Sequence, residues 1–565
     1  MGIADDFLKV RYNMEVTITN QTMELRDCCD AWFYDENHHC WCLEDIIYTP
    51  AAKVPLFQRM SIYAPEGMLS SPGVFTEAAN DAPVVFDNNA AGYMQMPHLW
   101  LDNPRCKGQQ YLDAGFIYVT CGCSGRESKD KDGNPVGKAP ATLVDLKTAI
   151  RFLRHNRNAL PGNLEKIVSV GVSAGGAMSA LLGVTGDHGD YLPYLKENGA
   201  FLDESDAVFA AQIYCPIIDL EHADLAYEWM FYADKTCEDS HAGPAETMSP
   251  FQEALSDKLT EAYISYFNSL GLRDPETGTE LMLNRDGRSG SGYAYLMGCL
   301  EASATKYLSL LARGKLPAEY SVADYLRGTY STLAPVPRPR KNKDAHHIGP
   351  NAILKETEKP KTPGEMMLRP QNGTGAIVHE PEMKLCPGTD KRSWLAWDGE
   401  KASIHDLDSY VLHYRRRMKP CTSFDTLPCR SGENHVFGTV EADYLHFNPA
   451  IADAIESLKD VFPEEYATYH PEYFKVKGDI SLERRVHMFN PMEYIGQEGS
   501  TQAKYFRIRV GSRDADTAAT VSMALALKLH NCGSENVDYA IVWDQPHCDA
   551  DYPGEICMWI KEICK

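Results

Sequence analysis

The sequence predicts an α/β fold in which a mostly parallel sheet carries helices on both faces. Short segments such as Arg59–Tyr63 and Phe116–Thr120 have the alternating apolar character of strands. An amphipathic helix is predicted within residues 137–156, and a further strand at Ala207–Tyr214. Strand, helix, strand and helix alternate again from Tyr505 to the end of the chain. Such alternation is typical of a parallel sheet, because each parallel crossover passes through a helix on one face.

Spacing and composition predict the helices. In the helix within residues 137–156, the apolar residues recur at intervals of three and four, which places them on one face. These residues are Leu143, Leu146, Ile150 and Leu153. Near the C-terminus, helices are predicted at Thr517–His530, which ends before Gly533, and at Gly554–Cys564. Both follow predicted strands, as a crossover requires.

A strand–turn–helix segment, Ile167–Gly176 (IVSVGVSAGG), interrupts this pattern. Its core, Gly171-Val172-Ser173-Ala174-Gly175, matches the G-x-S-x-G nucleophile elbow, in which a serine occupies the apex of a tight turn. Glycines are needed on either side because side chains there collide with the strand or the helix. The turn raises Ser173 Oγ out of the sheet and directs the N–H of Ala174 toward the same point. We therefore predict Ser173 as a nucleophile and Ala174 as half of an oxyanion hole.

A serine nucleophile needs a histidine to accept its proton and a carboxylate to orient that histidine. In folds with this elbow the partners follow in the order Ser, Asp, His, each after a late strand. The predicted strand Tyr505–Val510 leads into Asp514, and the predicted strand Val537–Trp543 leads into His547. Most of the 18 histidines are expected to be ordinary surface or core residues. The position of His547 after the last strand distinguishes it, and we predict a Ser173–Asp514–His547 triad.

The second oxyanion donor is expected in a loop after an early strand. Pro83–Phe86 reads as such a strand and leads into a loop of small residues that ends at Gly92. Small residues let backbone N–H groups approach a developing alkoxide, and losing one such donor costs about 10²–10³ in rate. We predict the Gly92 N–H as the donor, with Ala91 as the alternative. An ordinary strand–helix turn is the competing interpretation.

A large insertion is predicted between the nucleophile and its partners, because more chain separates Ser173 from Asp514 than the fold requires. We divide the chain into a first core part (residues 1–218), an inserted lid domain (219–494) and a second core part (495–565). The insertion begins with a predicted helix whose capping box is Ser249 and Gln252. It also contains a proline-rich excursion over residues 335–387, in which no continuous helix or central strand is expected. Insertions at the mouth of such a site usually shape the substrate pocket.

Composition limits the partners. The 565-residue chain has 44% hydrophobic residues and carries 55 basic and 79 acidic side chains, a net charge of −24. This charge argues against nucleic acid and anionic membranes as partners. No apolar run approaches the roughly 20 residues of a membrane span. The oligomeric state has no sequence signal.

The cysteines and the N-terminus bear on location and on metals. The 17 cysteines are mostly scattered, which favours reduced thiols over a disulfide framework. A denser group at Cys28, Cys29, Cys40 and Cys42 raises the alternative of zinc, but its spacing fits no familiar finger. We expect no metal and no cofactor. No secretion signal is visible, which favours a cytoplasmic location; a secreted protein with its signal removed is the alternative.

With these features in place, the chain resembles the bacterial tannases, α/β-hydrolases that cleave galloyl esters. The matching segments are FQRMSIYAPEG (57–67), GKAPATLVDLKTAIRFLRHN (137–156), VSVGVSAGGAMSALLGVTGD (168–187), AAQIYCPIIDLEHADLAYEWMF (210–231), RMK (417–419), SGEN (431–434), GSRDADT (511–517) and WDQPH (543–547). They span the predicted core and parts of the lid. Residues before about 45 and the proline-rich excursion have no counterpart.

The resemblance implies how a galloyl ring is recognised. In that family a lysine and two carboxylates hold the three ring hydroxyls, and the matching positions here are Lys419, Glu433 and Asp516. Phenolic O–H groups donate well to carboxylates, and an ammonium donates to phenolic oxygens. Ile217 is expected to form an apolar wall against the ring. The opposite wall departs from the family, because Gly432 stands where proline is expected.

The resemblance implies a serine esterase for small phenolic esters. Fungal tannases and feruloyl esterases join the residue before the serine to the residue after the histidine by a disulfide. Here Cys548 follows His547 but Val172 precedes Ser173, so that bridge cannot form and the bacterial branch is indicated.

A hydroxycinnamoyl (feruloyl-type) or general aryl-ester carboxylesterase is the alternative. A peptidase of the same fold is not favoured, since no propeller-like repeat is found. A catalytically silent binding module is not favoured either, because the triad residues are all present.

Overall fold

A computed structural model of the chain describes residues 31–237, 246–327 except 317 and 319, and 393–565 except 535. The strands are β1 (Phe33–Asp35), β2 (Cys40–Ile47), β3 (Arg59–Pro65), β4 (Leu69–Ser71), β5 (Val74–Phe75), β6 (Pro83–Asn88), β7 (Ile117–Cys121), β8 (Asn163–Val172), β9 (Ala210–Tyr214), β10 (Thr236–Cys237), β11 (Glu246–Thr247), β12 (Leu395–Trp397), β13 (Ala402–Ile404), β14 (Tyr505–Gly511) and β15 (Val537–Val542).

Helices follow most of the parallel strands. They are α1 (Glu77–Asp81), α2 (Gly108–Asp113), α3 (Ala141–His155), α4 (Ala174–Val184), α5 (Leu192–Glu197), α6 (Leu220–Met230), α7 (Pro250–Ser269), α8 (Ser291–Ala312), α9 (Val322–Leu326), α10 (Leu407–His413), α11 (Gly432–Val436), α12 (Pro449–Ser457), α13 (Pro463–Val476), α14 (Ile480–His487), α15 (Ala519–Asn531) and α16 (Glu555–Ile563). Within the described residues, no helix is long and apolar enough to cross a membrane.

Nine strands form one sheet in the order β1-β2-β3-β7-β6-β8-β9-β14-β15. The pairs from β1 to β7 are antiparallel, and every pair from β7 to β15 is parallel. The predicted mostly parallel sheet is therefore confirmed. The strand order turns back on itself at β7-β6-β8, and the carboxyl ends of β6, β8, β9, β14 and β15 meet at one edge. Ligands of open α/β sheets bind outside this edge.

Helices cover both faces of the sheet, as predicted. Along β6, Val84 and Phe86 point into the larger apolar cluster, and Val85 points into a second cluster on the opposite face. Helices α3, α4 and α15 contribute to the larger cluster, and α2 and α16 to the second. This distribution follows from the two-residue period of a strand, which sends successive side chains to opposite faces.

The segment between β9 and β14 is mostly helical in the described residues, and its apolar side chains join the larger cluster of the sheet. Helix α7 begins with the predicted capping box: Gln252 N–H donates to Ser249 Oγ at 3.2 Å, and Ser249 N–H donates to Gln252 Oε1 at 3.0 Å. The bounds 219 and 494 stay a prediction. The proline-rich excursion lies outside the described residues.

Part of the N-terminal cysteine group is described. Cys40 and Cys42 are buried free thiols on β2, with their sulfur atoms 3.7 Å apart. Cys28 and Cys29 lie outside the described residues. The adjacent His38 binds Asp35, with Nδ1 2.8 Å from the carboxylate.

Candidate active site

Ser173 occupies a strained turn between β8 and α4. Its φ of 63° and ψ of −122° lie outside the regions that L-residues usually adopt. Its N–H donates to the Tyr214 carbonyl of β9 at 3.0 Å, which fixes the turn to the sheet. A Cβ on Gly171 would lie 2.1 Å from the Gly175 carbonyl oxygen, so only glycine permits this approach. The strand–turn–helix geometry predicted for the elbow is observed, and the role of Ser173 as nucleophile stays a prediction.

The backbone around Ser173 supplies hydrogen-bond donors. Ala174 is the first residue of α4, and N–H groups in the first turn of a helix have no intrahelical acceptor. They also lie at the positive end of the helix dipole, which favours a developing negative charge. The predicted role of the Ala174 N–H is consistent with this position.

The loop after β6 packs against the elbow. A Cβ on Gly175 would lie 2.8 Å from Asn88 Oδ1 and 2.9 Å from the Ala90 carbonyl, so this loop lies directly on the start of α4. Asn88 Nδ2 donates to the carbonyls of Val170 and Gly175 at 2.9 and 3.1 Å. Gly92 follows with a φ of 56°. The predicted donor therefore comes from a loop anchored to the nucleophile turn.

Asp514 and His547 meet at the same sheet edge. The loops after β14 and β15 are joined by a hydrogen bond from Arg513 N–H to the Gln545 carbonyl, at 2.9 Å. Asp514 is fully buried, and its Oδ1 lies 3.0 Å from His547 Nδ1. The second carboxylate, Asp516, has an oxygen 4.0 Å from the same nitrogen. This arrangement suits a base oriented by a carboxylate.

Burial and charge oppose each other in this pair. Burial alone raises the pKa of Asp514, but His547 and, more weakly, Arg415 bring that pKa below its usual value. Burial alone lowers the pKa of His547, but the carboxylates of Asp514 and Asp516 raise it well above its ordinary value of 6.5. The acid therefore remains ionised, and it stabilises the imidazolium that forms when His547 accepts a proton.

Cys215, which the sequence analysis did not single out, links the nucleophile side of the site to the base. Its N–H donates to the Arg509 carbonyl of β14 at 2.8 Å, and its sulfur lies 3.9 Å from the Pro546 carbonyl, next to His547. Ligand atoms of Cys215, Asp514 and His547 lie within 4.8 Å of one another. Burial and Asp514 raise the pKa of the thiol to about 12. We interpret the cluster as the Asp514–His547 pair with a neutral thiol beside it.

Helix α6 holds Lys419 close to the acid loop, the segment 512–518 between β14 and α15 that carries Asp514 and Asp516. Arg417 forms a fully buried bidentate ion pair with Glu228. Its Nη1 donates to Oε1 of Glu228 at 2.9 Å, and its Nη2 donates to Oε2 at 2.7 Å. Two residues later, the Lys419 N–H donates to the hydroxyl of Tyr227 at 3.1 Å. The Lys419 ammonium lies over the ring of Phe424, 3.9 Å from its centroid. Main chain and side chain are both positioned by buried groups.

Glu433 lies in the first turn of α11, which Ser431 caps. The helix is tied inward by Asn434, whose Nδ2 donates to Asp425 Oδ1 at 2.7 Å. Burial and, second to it, the charge of Glu433 raise the pKa of the Tyr93 hydroxyl. A role of the Glu433 carboxylate in binding the galloyl ring stays a prediction.

Ile217 connects the same parts of the site. Its N–H donates to the Ser173 carbonyl at 3.3 Å, and its own carbonyl accepts from Tyr93 at 2.5 Å. Arg126 fills the space that a side chain at position 432 would occupy. A Cβ on Gly432 would lie 3.1 Å from the Arg126 guanidinium. The Arg126 N–H binds the Tyr93 carbonyl at 2.7 Å. A guanidinium thus occupies the space next to position 432.

The structure brings the predicted triad residues, Asp516 and the main chain of Lys419 to one sheet edge, through contacts that sequence reasoning missed. The missed residues are Tyr93, Arg126, Cys215, Asp224, Tyr227 and Glu228. A signal existed for three of them: Asp224, Tyr227 and Glu228 recur at helical spacing within the otherwise apolar stretch of α6. No local signal identifies Cys215 or Arg126.

The chain is similar to known proteins over most of its length. A family model described as BD-FAE matches residues 108–221. A tannin acyl hydrolase from Lactobacillus plantarum is 27% identical, with a TM-score of 0.71, over 95% of this chain and 98% of that one. The tannase of Fusobacterium nucleatum is 28% identical, with a TM-score of 0.68, over 93% and 95%. A tannin acyl hydrolase in complex with ethyl gallate is 27% identical, with a TM-score of 0.68, over 93% and 94%. No curated protein sequence matches the chain.

The fold and the residues at its sheet edge define a carboxylic ester hydrolase of the α/β-hydrolase class. Serine at the elbow and the Asp514–His547 pair are the features that place it there. Within this class the chain is a structural relative of the bacterial tannases over nearly its whole length.

Proposed function

We propose that this protein hydrolyses galloyl esters, the gallic acid esters of tannins and of simple alcohols, through an acyl-enzyme. The observation that carries the proposal is the joint position of two sets of groups at one sheet edge. The strained Ser173 turn and the Asp514–His547 pair form the first set. Lys419, whose main chain is bound to α6, and Asp516 belong to the second set. Support comes from the similarity to a tannin acyl hydrolase that binds ethyl gallate.

The reaction follows from these positions. His547 accepts the proton of Ser173 Oγ, which attacks the ester carbonyl, and Asp514 stabilises the imidazolium. The N–H groups of Ala174 and Gly92 bind the oxyanion of the tetrahedral intermediate. His547 then protonates the departing alcohol or phenol. Water, activated by His547, releases gallic acid from Ser173 by the same route.

Recognition of the acyl group uses the three hydroxyls of the galloyl ring. The ammonium of Lys419 donates to a phenolic oxygen, and the carboxylates of Glu433 and Asp516 accept from phenolic O–H groups. Ile217 supplies apolar contact with the ring. The substrate is a small phenolic ester.

Two esters test the function directly. We expect purified protein at neutral pH to hydrolyse propyl gallate with kcat/KM at least about tenfold above that for ethyl ferulate, which lacks the three adjacent hydroxyls. The ferulate ester lacks hydrogen bonds to charged groups that the gallate ester makes. Each such bond is worth about 1.5–3 kcal/mol of binding, so the gallate ester is preferred. Equal rates for the two esters, or a preference for the ferulate, would contradict the proposal and support the feruloyl-type alternative.

The pH dependence tests the environment of His547. The base must be neutral to accept the proton of Ser173, so kcat/KM rises as His547 loses its own proton. Because Asp514 and Asp516 raise the pKa of His547 well above 6.5, we expect the midpoint of this rise above pH 6.5. Asp516→Asn removes one of the two carboxylates, so the midpoint should move to lower pH. The measurement is kcat/KM against pH with p-nitrophenyl acetate.

A charge-matched control accompanies this variant. Asp453 lies on α12, and its exposed carboxylate pairs with Lys477. Asp453→Asn removes this carboxylate and should leave the midpoint of the pH profile unchanged. A midpoint that stays unchanged or moves upward in Asp516→Asn would show that Asp516 does not act on His547.

A further inference from the structure

Helix α6 presents a stripe of buried polar side chains to the segment that carries Lys419 and Glu433. Asp224, Tyr227 and Glu228 are all fully buried, and their spacing places them on one face of the helix. Asp224 accepts three main-chain N–H groups, from residues 423, 424 and 425, at 2.7, 2.8 and 3.0 Å. Glu228 binds Arg417. Most buried polar groups in proteins are hydrogen-bonded, and the bonds of these three side chains go to that segment, so this face of α6 holds the segment in place.

Tyr227 differs from its two neighbours because its hydroxyl binds two separate parts of the site. It accepts the N–H groups of Met418 and Lys419, both at 3.1 Å. It donates to the carbonyl of Ala515 at 3.0 Å. Ala515 lies between the triad acid Asp514 and the proposed recognition residue Asp516. One oxygen atom thus joins Lys419 to the acid loop, and all its hydrogen-bonding capacity is used.

We propose that the Tyr227 hydroxyl is a positioning group that sets the distance between Lys419 and Asp516 and thereby determines selectivity for a trihydroxylated ring. This inference rests on the proposed galloyl esterase function. A ring with three adjacent hydroxyls offers its oxygens at fixed separations, so the groups that bind them must also be held at fixed separations. Misplacement by about 1 Å is sufficient to lose such complementarity.

The ring and the hydroxyl of Tyr227 have separable roles. The ring packs against Phe231, with centroids 4.4 Å apart, and edge-on against Phe424 at 6.2 Å. These contacts remain in Tyr227→Phe, which removes only the oxygen. Burial also raises the pKa of the Tyr227 hydroxyl, so that it stays a donor throughout the working range of the enzyme.

Tyr227→Phe is the test, with propyl gallate and p-nitrophenyl acetate as the two substrates. We expect KM for propyl gallate to rise about tenfold, with a smaller change in kcat. The ratio of kcat/KM for propyl gallate to that for p-nitrophenyl acetate should fall about tenfold. In a Lys419→Ala background the same substitution should change this ratio less than twofold, because the distance from Lys419 to Asp516 no longer matters once the ammonium is absent.

Tyr191→Phe is the matched control. Tyr191 is also fully buried, and its hydroxyl donates to a main-chain carbonyl, that of Met488, at 2.6 Å. Tyr191→Phe should lower the melting temperature about as much as Tyr227→Phe does, and it should leave the ratio of the two kcat/KM values unchanged. If Tyr227→Phe is too unstable for kinetics at the assay temperature, the same ratios are measured at a lower temperature, together with the rise in melting temperature that gallic acid gives to each variant.

The outcomes separate this inference from the proposed function. If the wild type does not cleave propyl gallate, the proposed function fails. If it does, an unchanged substrate ratio in Tyr227→Phe overturns the inference alone. Equal losses on both esters, or an equal fall of the ratio with and without Lys419, also overturn it, because they are the signs of a merely structural hydroxyl.

Discussion

Ser173→Ala should lower kcat/KM for propyl gallate by at least about 10⁴-fold, because it removes the oxygen that forms the acyl-enzyme in the proposed reaction. The fold should be retained. Ser173 has a φ of 63°, and alanine meets the same backbone strain as serine in that conformation, so the substitution adds none. Its N–H still binds the Tyr214 carbonyl. The measurements are steady-state hydrolysis and a thermal melt. The melting temperature should change by no more than a few degrees.

Labelling gives an independent check of the nucleophile. A serine-directed phosphonate should modify the wild type at Ser173 alone, and Ser173→Ala should not be modified. Ser457→Ala, at the end of α12, is the control and should keep both activity and labelling. Substantial activity in Ser173→Ala, or label at another serine, would rule out the assigned triad.

Lys419→Ala and Glu433→Gln should each lower kcat/KM for propyl gallate by roughly 10- to 100-fold. Each removes a hydrogen bond between a charged group and a ring hydroxyl, worth about 1.5–3 kcal/mol in a desolvated site. Rates with p-nitrophenyl acetate should fall much less, since this ester has no ring hydroxyls on its acyl side. The ratio of the two kcat/KM values is the quantity to compare, because general damage to the triad cancels.

An exposed ion pair provides matched controls for these two variants. Lys475→Ala and Glu472→Gln alter a pair on α13, whose charged atoms are 2.5 Å apart, and should not change the ratio. If Lys419→Ala and Glu433→Gln reduce both substrates equally, the two residues are structural. The protein would then be an esterase without selectivity for the galloyl ring.

Local patterns were sufficient for the elbow and for those strands and helices that the sequence analysis predicts. The elbow was predictable because its steric requirement is local: a Cβ on Gly171 would lie 2.1 Å from the carbonyl oxygen of Gly175, only four residues later. The capping box of α7 is local for the same reason, since Ser249 and Gln252 are three residues apart. The predicted strand Phe116–Thr120 is observed one residue later, at Ile117–Cys121. The end positions of a strand depend on its pairing with neighbouring strands. The spacing of apolar residues in the sequence carries no information about that pairing.

The contacts that position the site were not predictable in this way. Tyr227 binds Lys419, 192 residues later, and Ala515, 288 residues later. Cys215 reaches the loop of His547 from a separate strand, with its sulfur 3.9 Å from the Pro546 carbonyl. Sequence spacing carries no information about such partners, because they are chosen by how helices and loops pack.

By itself, the sequence determined the α/β class, the sharp turn at Ser173 and the order in which Asp514 and His547 follow. These depend on periodicity and on steric limits that act over a few residues. Only the tertiary structure decided that α6 holds Lys419 beside the acid loop, and that the side of Gly432 is filled by Arg126. Those arrangements depend on buried hydrogen bonds between distant segments, which form only once the sheet and the insertion have packed together.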